Sequence, residues 1–223
     1  LGDVYKRQAQ TDLQVGPGST VHDFQLSLVV TMAEDDFELT DGGFSPSAGW
    51  AWGSDAVAGA HSGTKVWGTV LGGNYANSVH WTLDTPAIDI PEADGAELRF
   101  WQWYEIESGY DGARVEVAAD GGAFARVTPV PDYNDQTITA FNGTPGYTGT
   151  AGWHEVTVDL SPYVGQSVVV RWRFGTDGSQ TRRGWYLDDV AVTAWGGSIV
   201  PPFFSDGFET GNTDGWDTVV GGP

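Results

Sequence analysis

The 223-residue chain contains no cysteine, so disulfides cannot stabilise it and any cross-link must come from packing or from a bound metal. It has only 10 lysine and arginine residues against 30 aspartate and glutamate residues, which gives a formal net charge of -20. This shortage of basic residues argues against nucleic acid and anionic membrane surfaces as partners, because both are bound by clustered Lys and Arg. An acidic surface is typical of a soluble protein outside the cell.

The sequence also lacks long apolar runs. The apolar stretch 26–33 is far shorter than the roughly 20 residues that a membrane-spanning helix needs, so we predict no membrane insertion. Glycine, with 32 residues, and tryptophan, with 11, are instead abundant. Together with many Thr, Val and Tyr residues, this composition is typical of an all-β protein with many turns.

The stretch 98–127 shows no helical period and predicts three strands joined by two turns. Both faces of its first strand carry aromatic side chains, so we expect this strand to be central and covered on both sides. Asp120-Gly121-Gly122 predicts a tight hairpin, because glycine readily adopts the positive φ that such turns need. The two faces of the first strand are Leu98, Phe100, Gln102, Tyr104 and Ile106, and Arg99, Trp101, Trp103, Glu105 and Glu107.

Further strands are predicted where apolar residues alternate with polar ones, in residues 153–160, 167–174 and 184–192. Many short strands without an intervening helix predict an all-β fold, an antiparallel β-sandwich of the jelly-roll type. The connection 129–152 is longer than usual for a loop, and we expect it to shape a binding surface.

The chain divides into four predicted segments. Residues 1–8 have no signal-peptide pattern and are interpreted as a non-native, adaptor-derived piece. Residues 9–31 are interpreted as the end of a preceding small β domain, with a strand of the main sandwich as the alternative. Residues 32–197 form the main module. Residues 198–223 hold a proline linker and repeat the Asp-x-Phe-Glu start of that module, so we expect an internal fragment of a longer protein.

The order of several segments resembles the MAM-like jelly-roll module of secreted bacterial metallopeptidases of the immune inhibitor A type. The resemblance covers about residues 35–192 and implies a concanavalin-like or galactose-binding-like sandwich, secretion, and an accessory rather than catalytic role. The absence of cysteine agrees with bacterial members, because the eukaryotic ones usually carry disulfides. The segments are DDFE, AHSGTKVWGT, LDTPAIDI, LRFWQWYEIESGYDGARVEVAADGGAF, WHEVTVDLSPYVGQSVVVRWRFGTD and GWYLDDVAV.

His154 and Glu155 begin a sequence that superficially matches the zinc peptidase motif His-Glu-x-x-His. That motif places two histidines one turn apart on a helix. Here Val158 stands where the second histidine is needed, and the segment has a strand pattern. We therefore predict no catalytic zinc site at this position.

Glu105 and Glu107 are the other candidates for catalysis. On one face of a strand they would lie about 6.6 Å apart, in the range of a glycosidase carboxylate pair. The alternative is cross-strand pairing with Arg99, Arg171 or Arg173. Glycoside hydrolysis is kept as a remote possibility.

Acidic residues at both ends of the module predict a structural Ca²⁺ site. The first and last strands of a sandwich commonly lie side by side, and a divalent ion would relieve the repulsion between the acids gathered there. The alternative is that these acids are solvated or cap turns. The predicted ligands are Glu38 and Asp188, then Asp36 and Asp189, and a backbone carbonyl between Ser62 and Lys65.

Aromatic residues predict a possible carbohydrate platform, since sugars stack on aromatic faces. The alternative is core packing, which usually claims strand tryptophans. The candidates are Trp101, Trp103, Tyr110, Tyr133 and Trp185.

The sequence therefore predicts a calcium-stabilised, non-catalytic accessory module of a secreted bacterial multidomain protein, one that assists substrate or surface binding. Expected partners are an extracellular polysaccharide, glycoprotein or protein substrate and the neighbouring domains of the same chain. The alternatives are a carbohydrate-binding or adhesion module in a repeat array and, remotely, a glycoside hydrolase.

Overall fold

The computed structural model describes residues 29–196 and is built almost entirely of strands. The predicted segments 1–8 and 198–223, and most of 9–31, lie outside the described residues. Two 3-10 turns, Thr139–Phe141 and Ser161–Tyr163, interrupt the strands. Within the described range the strands are β1 (Val29–Asp35), β2 (Ser45–Pro46), β3 (Trp50–Gly53), β4 (Val66–Thr69), β5 (His80–Asp84), β6 (Ile88–Asp89), β7 (Gly95–Ile106), β8 (Gly112–Ala119), β9 (Ala125–Arg126), β10 (Asp135–Ile138), β11 (Thr144–Gly146), β12 (Gly149–Asp159), β13 (Ser167–Gly175) and β14 (Gly184–Trp195).

The strands form two antiparallel sheets that pack face to face, which confirms the predicted fold class. The first sheet has the order β12-β7-β14-β4-β3, with β1 also paired to β14. The second sheet has the order β2-β5-β13-β8-β9, with β6 also paired to β13. A small hairpin of β10 and β11 stands beside them.

The core lies between the two sheets and follows the predicted alternation. The predicted apolar face of β7, from Leu98 to Ile106, is buried throughout. On the opposite sheet, alternate residues of β13 from Val168 to Phe174 are buried as well. Phe100 meets Trp172 edge to face at 5.5 Å between ring centroids. Such a pair adds about 1 kcal/mol beyond the burial of its area.

Strand β1 belongs to the sandwich and lies beside the last strand. It begins at Val29, three residues before the predicted start of the module. Val30 pairs with Ala194, and Asp35 with Val190. The expected adjacency of first and last strands is therefore present, and it brings the acids that follow β1 close to those within β14.

Two connections between strands, at 120–122 and 129–152, were predicted from the local sequence. Asp120 and Gly121 have φ values of 50° and 71°, and Gly122 donates a backbone hydrogen bond to Ala119, so the predicted hairpin forms. The connection 129–152 is structured, and its expected part in a binding surface stays a prediction. The segment folds into β10, a 3-10 turn and β11, and its residues Ile138, Phe141 and Tyr147 are buried.

Asp55 holds together the loops on the outer side of the first sheet. Its Oδ1 accepts the N–H groups of Val57 at 2.8 Å and Ala58 at 2.9 Å, and its Oδ2 accepts that of Gly72 at 2.7 Å. Arg183 donates to both oxygens, at 2.9 and 2.8 Å. Burial alone would raise the pKa of Asp55, but these donors outweigh it and lower the pKa to about 2.

We expect Asp55→Asn to lower the free energy of unfolding by about 3 kcal/mol at neutral pH, because it removes the counter-charge of the partly buried Arg183. The folded-state pKa lies below the unfolded value of about 3.9, so this stabilisation is complete above pH 4 and is lost as pH falls towards 2. Denaturant unfolding across that window measures both effects.

The control is Glu155→Gln, which removes the exposed 3.5 Å pair with Arg99. It should change stability by less than about 1 kcal/mol, because surface ion pairs contribute little. Equal losses in the two variants would contradict the proposed role of Asp55.

Candidate functional site

Strand β14 changes its neighbour on one edge at Asp188 and Asp189. Tyr186 and Leu187 pair with β4, whereas β1 pairs with β14 from Val190 onward. The register of β14 with β7 also shifts here, and Asp189 has a φ of 46°. The residues just after β1 and just before β4 therefore both lie against this irregular point of β14.

Asp188 is fully buried and accepts backbone hydrogen bonds. Its Oδ2 accepts the N–H groups of His61 at 2.8 Å and Ser62 at 3.0 Å, and its Oδ1 accepts that of Asp189 at 2.9 Å. Burial raises the pKa of Asp188 to about 6, against the opposing effect of the Ser62 N–H group, and the Asp189 charge raises it further. The carboxylate thus anchors the segment before β4 to the middle of β14.

Asp189 contacts the same segment through its side chain. Its Oδ1 accepts the Ser62 hydroxyl at 2.8 Å, and its Oδ2 contacts His61 Nδ1. The His61 ring in turn stacks on Trp101, with ring centroids 3.5 Å apart and planes 11° from parallel. His61 is therefore held between an acid and an aromatic face.

Glu38 binds the segment from the β1 side. Its Oε1 accepts the N–H groups of Thr64 at 2.8 Å and Lys65 at 2.7 Å, and these bonds hold the pKa of Glu38 below its usual value. The Glu38 carbonyl accepts a bond from Lys65 Nζ at 2.8 Å. Gly63 permits this approach, because a Cβ there would lie 2.2 Å from Glu38 Cδ.

We call Glu38, residues 61–65, Asp188 and Asp189 the edge clamp. It brings together five of the six residues predicted as metal ligands. Asp36 does not join them, since its Oδ1 accepts the N–H of Glu38 at 3.1 Å in a local turn.

Calcium binds oxygen atoms such as those of the edge clamp, but these oxygen atoms already accept hydrogen bonds. Calcium requires six to eight oxygen ligands at about 2.3–2.6 Å. Here the carboxylate oxygens accept N–H groups of residues 61–65, and the Lys65 ammonium group lies beside Glu38. Among the described residues, the group of three acids with mutually close oxygens is a different one. Calcium binding at the edge clamp stays a prediction.

Two of the predicted platform residues are buried in the core, which corrects their assignment. Trp185 is fully buried and donates through Nε1 to Gln102 Oε1 at 2.7 Å. The Tyr133 hydroxyl accepts the N–H of Val115 at 3.0 Å and lies 3.0 Å from the Val127 carbonyl oxygen. Neither ring presents a face to a ligand, because both fill the space between the sheets and adjoining loops.

Trp101 and Trp103 lie on the outer face of the first sheet and are half covered by the segment 55–65. His61 stacks on Trp101, and Trp103 meets Tyr186 edge to face at 5.3 Å. Trp103 thereby packs against a second apolar cluster, which consists of Ala58, Val66 and Tyr186. These two rings therefore anchor a loop, whereas the remaining candidate, Tyr110, is 51% exposed.

Glu105 and Glu107 do not present a paired carboxylate face. Strand β7 ends at Ile106, and Glu107, which is only 5% exposed, turns into the loop beyond it. Glu107 instead joins Asp111 and Asp177, a group of acids that sequence reasoning missed. The chain offers one weak signal for it, which is that Glu107 and Asp111 flank a glycine-containing turn. His154 lies on β12, as its strand pattern predicted.

The chain is similar in sequence to a known domain family and to two bacterial proteins. A family model described as "Immune inhibitor A-like, MAM domain" matches residues 62–219. Bacillopeptidase F of Bacillus subtilis (strain 168) is 33% identical over 181 residues, which cover 78% of this chain and 12% of that protein. The pre-pro-metalloprotease PrtV of Vibrio cholerae serotype O1 (strain M66-2) is 31% identical over 105 residues, or 47% of this chain and 11% of that protein.

The chain thus spans about one eighth of the length of these relatives. Among solved structures, the CBM22-1 xylan-binding domain of Paenibacillus barcinonensis Xyn10C is 13% identical, with a TM-score of 0.46. That similarity covers 75% of this chain and 96% of the xylan-binding domain. None of the helices within residues 29–196 is long and apolar enough to cross a membrane.

We expect Gly63→Ala to destabilise the protein more than Gly59→Ala. Both glycines have positive φ, so each substitution costs about 1 kcal/mol in backbone strain. Only the Cβ at residue 63 meets another group, and it would displace the Glu38 side chain from Thr64 and Lys65. Chemical denaturation measures the difference.

A double-mutant cycle isolates the cause. In a Glu38→Ala background the excess cost of Gly63→Ala should disappear, because the displaced carboxylate is already absent. An excess that persists there would show that Glu38 is not what the new methyl group disturbs.

Proposed function

Because this chain belongs to the immune inhibitor A-like MAM domain family, we propose that it is a non-catalytic accessory module of a larger peptidase and assists substrate or surface binding. The family resemblance predicted from the sequence is confirmed, as is the prediction of a secreted bacterial protein. The name of the Vibrio cholerae relative supports a metallopeptidase as the parent protein.

The observation that supports the accessory role is that several buried or loop-binding carboxylates within residues 29–196 are engaged in structural contacts. Asp188 and Glu38 bind backbone N–H groups of the segment 61–65, and Asp55 binds Arg183. A catalytic carboxylate must be free to meet a substrate. These carboxylates instead hold loops to the sheet, which suits a rigid module that positions neighbouring domains or a substrate.

Deleting residues 29–196 from the parent protein tests this role. Hydrolysis of an insoluble protein substrate should fall by about tenfold or more, because the module no longer raises the local substrate concentration. Cleavage of a short soluble peptide serves as the control and should not change. Equal activity on both substrates, with and without the module, would contradict the proposal.

Attachment to polysaccharide, as in a carbohydrate-binding or adhesion module, is the second candidate. It rests on Tyr110, whose ring is 51% exposed in the turn between β7 and β8 and is free to stack on a sugar. Retention on insoluble polysaccharide that Tyr110→Ala abolishes would favour it. Val130→Ala, at a residue 69% exposed, is the matched surface control.

Calcium stabilisation through the edge clamp is a further part of the proposal. Calcium at about 100 times its Kd should raise the melting temperature of the chelator-treated chain by about 5–10 °C. If Glu38 and Asp188 take part, Glu38→Gln should reduce that rise. Melting curves that are identical in calcium and in chelator would exclude any stabilising calcium site.

A further inference from the structure

A second group of acids lies where three loops meet at one end of the sandwich. Glu107, Asp111 and Asp177 each contribute a carboxylate oxygen, and these oxygens all lie within 4.8 Å of one another. Glu107 and Asp111 are buried, and Asp177 is partly buried. Glu107 and Asp111 belong to the connection between β7 and β8, and Asp177 follows β13.

Strand register brings these acids together. Gly112, the first residue of β8, pairs with Gly175, the last residue of β13, so Asp111 faces the residues that follow Gly175. The Asp177 N–H group donates to Asp111 Oδ1 at 2.6 Å. The segments 107–111 and 176–179 are therefore held next to each other by the second sheet.

Tyr75 joins a third loop, between β4 and β5, to the same group. Its hydroxyl donates to Asp111 Oδ2 at 2.7 Å and accepts the N–H of Glu107 at 3.0 Å. Thr148 lies beneath, with its hydroxyl 2.8 Å from the Glu107 carbonyl oxygen and 2.9 Å from that of Asp111. These hydrogen bonds within the protein hold the backbone around the acids in place without a ligand.

The Glu107 carboxylate, by contrast, is left unsatisfied. Glu107 is 95% buried, since its exposed fraction is 5%, yet within the described part of the chain its Oε2 has no hydrogen-bond partner. A buried carboxylate oxygen without a partner is costly, and such groups are rare in folded proteins. An unpartnered carboxylate oxygen on a residue of a convergent group of acids points to a positively charged ligand.

The ion pairs of the structure also support a positively charged ligand beside these three acids. None of the ion pairs formed within residues 29–196 involves Glu107, Asp111 or Asp177. Among residues 29–196 these acids therefore have no basic side chain that would offset their mutual repulsion.

We propose that Glu107, Asp111 and Asp177 form a calcium site that ties the connection between β7 and β8 to the segment that follows β13. The proposal rests on this group alone and not on the accessory role. The donors are all oxygen atoms, with neither the thiolate nor the imidazole ligands that zinc prefers. Calcium accepts several protein carboxylates in flexible geometry, whereas magnesium demands a strict octahedron and keeps several waters.

Calcium titration by calorimetry on the chelator-treated full chain tests the site. Glu107→Gln should bind one calcium ion fewer per chain than the wild type. Glu105→Gln, two residues earlier and near the end of β7, should bind as many as the wild type. Magnesium should compete only weakly, and equal competition would overturn the assignment to calcium.

Thermal melting separates a metal ligand from a merely structural residue. Without calcium, Glu107→Gln should melt at or above the wild-type temperature, because a neutral amide replaces a repelled carboxylate. With calcium, its rise in melting temperature should be smaller than that of the wild type. Equal stoichiometry and equal rises in the two proteins would overturn the proposal.

Asp177→Asn, at a residue that is only partly buried, is the second variant if Glu107→Gln does not fold. It should also lose one calcium ion per chain, and retention of that ion would overturn the site. Glu38→Gln distinguishes this site from the edge clamp. If Glu38→Gln does not change calcium binding, Glu107→Gln should still lose one calcium ion. The two sites can therefore be tested independently.

Discussion

Along one edge of β14 the paired strand changes from β4 to β1. The surrounding structure depends on how the backbone groups at this change find hydrogen-bond partners. Backbone N–H groups at such a break have no strand partner, and leaving them unpaired in the interior is costly. The buried carboxylate of Asp188 accepts the N–H groups of His61 and Ser62 in place of a strand. Because Glu38 does the same for Thr64 and Lys65, the segment before β4 is fixed from both sides.

This arrangement explains how a cysteine-free, strongly acidic chain holds its loops. Carboxylates replace missing backbone pairing at the edge clamp and at Asp55, and in each case the negative charge has donors around it. The Glu107 carboxylate differs, because its Oε2 accepts no hydrogen bond from the described residues. The unpartnered oxygen of Glu107, rather than the number of acids, distinguishes the candidate cation site from the edge clamp.

The outer aromatic residues contribute to the same task. Trp103 packs against a second apolar cluster beside the main core, and Trp101 stacks on His61 of the segment 55–65. A ring that is covered on one face by His61 has less surface to offer a sugar. The module is therefore better described as a rigid body with anchored loops than as an open aromatic platform, and Tyr110 is the predicted platform residue that extends into solvent.

The sequence alone determined the long strands and the sandwich, because period-two alternation along β7, β12 and β13 and the Asp120-Gly121 turn are local properties, and the order of its segments indicated the family. It also placed Glu38 near Asp188, since first and last strands of a sandwich are often neighbours. Only the tertiary structure decided that Trp185 and Tyr133 are core residues and that Glu107, Asp111 and Asp177 converge. Burial depends on what packs against each face, and the pairing of Gly112 with Gly175 joins positions 63 residues apart, which no local pattern encodes.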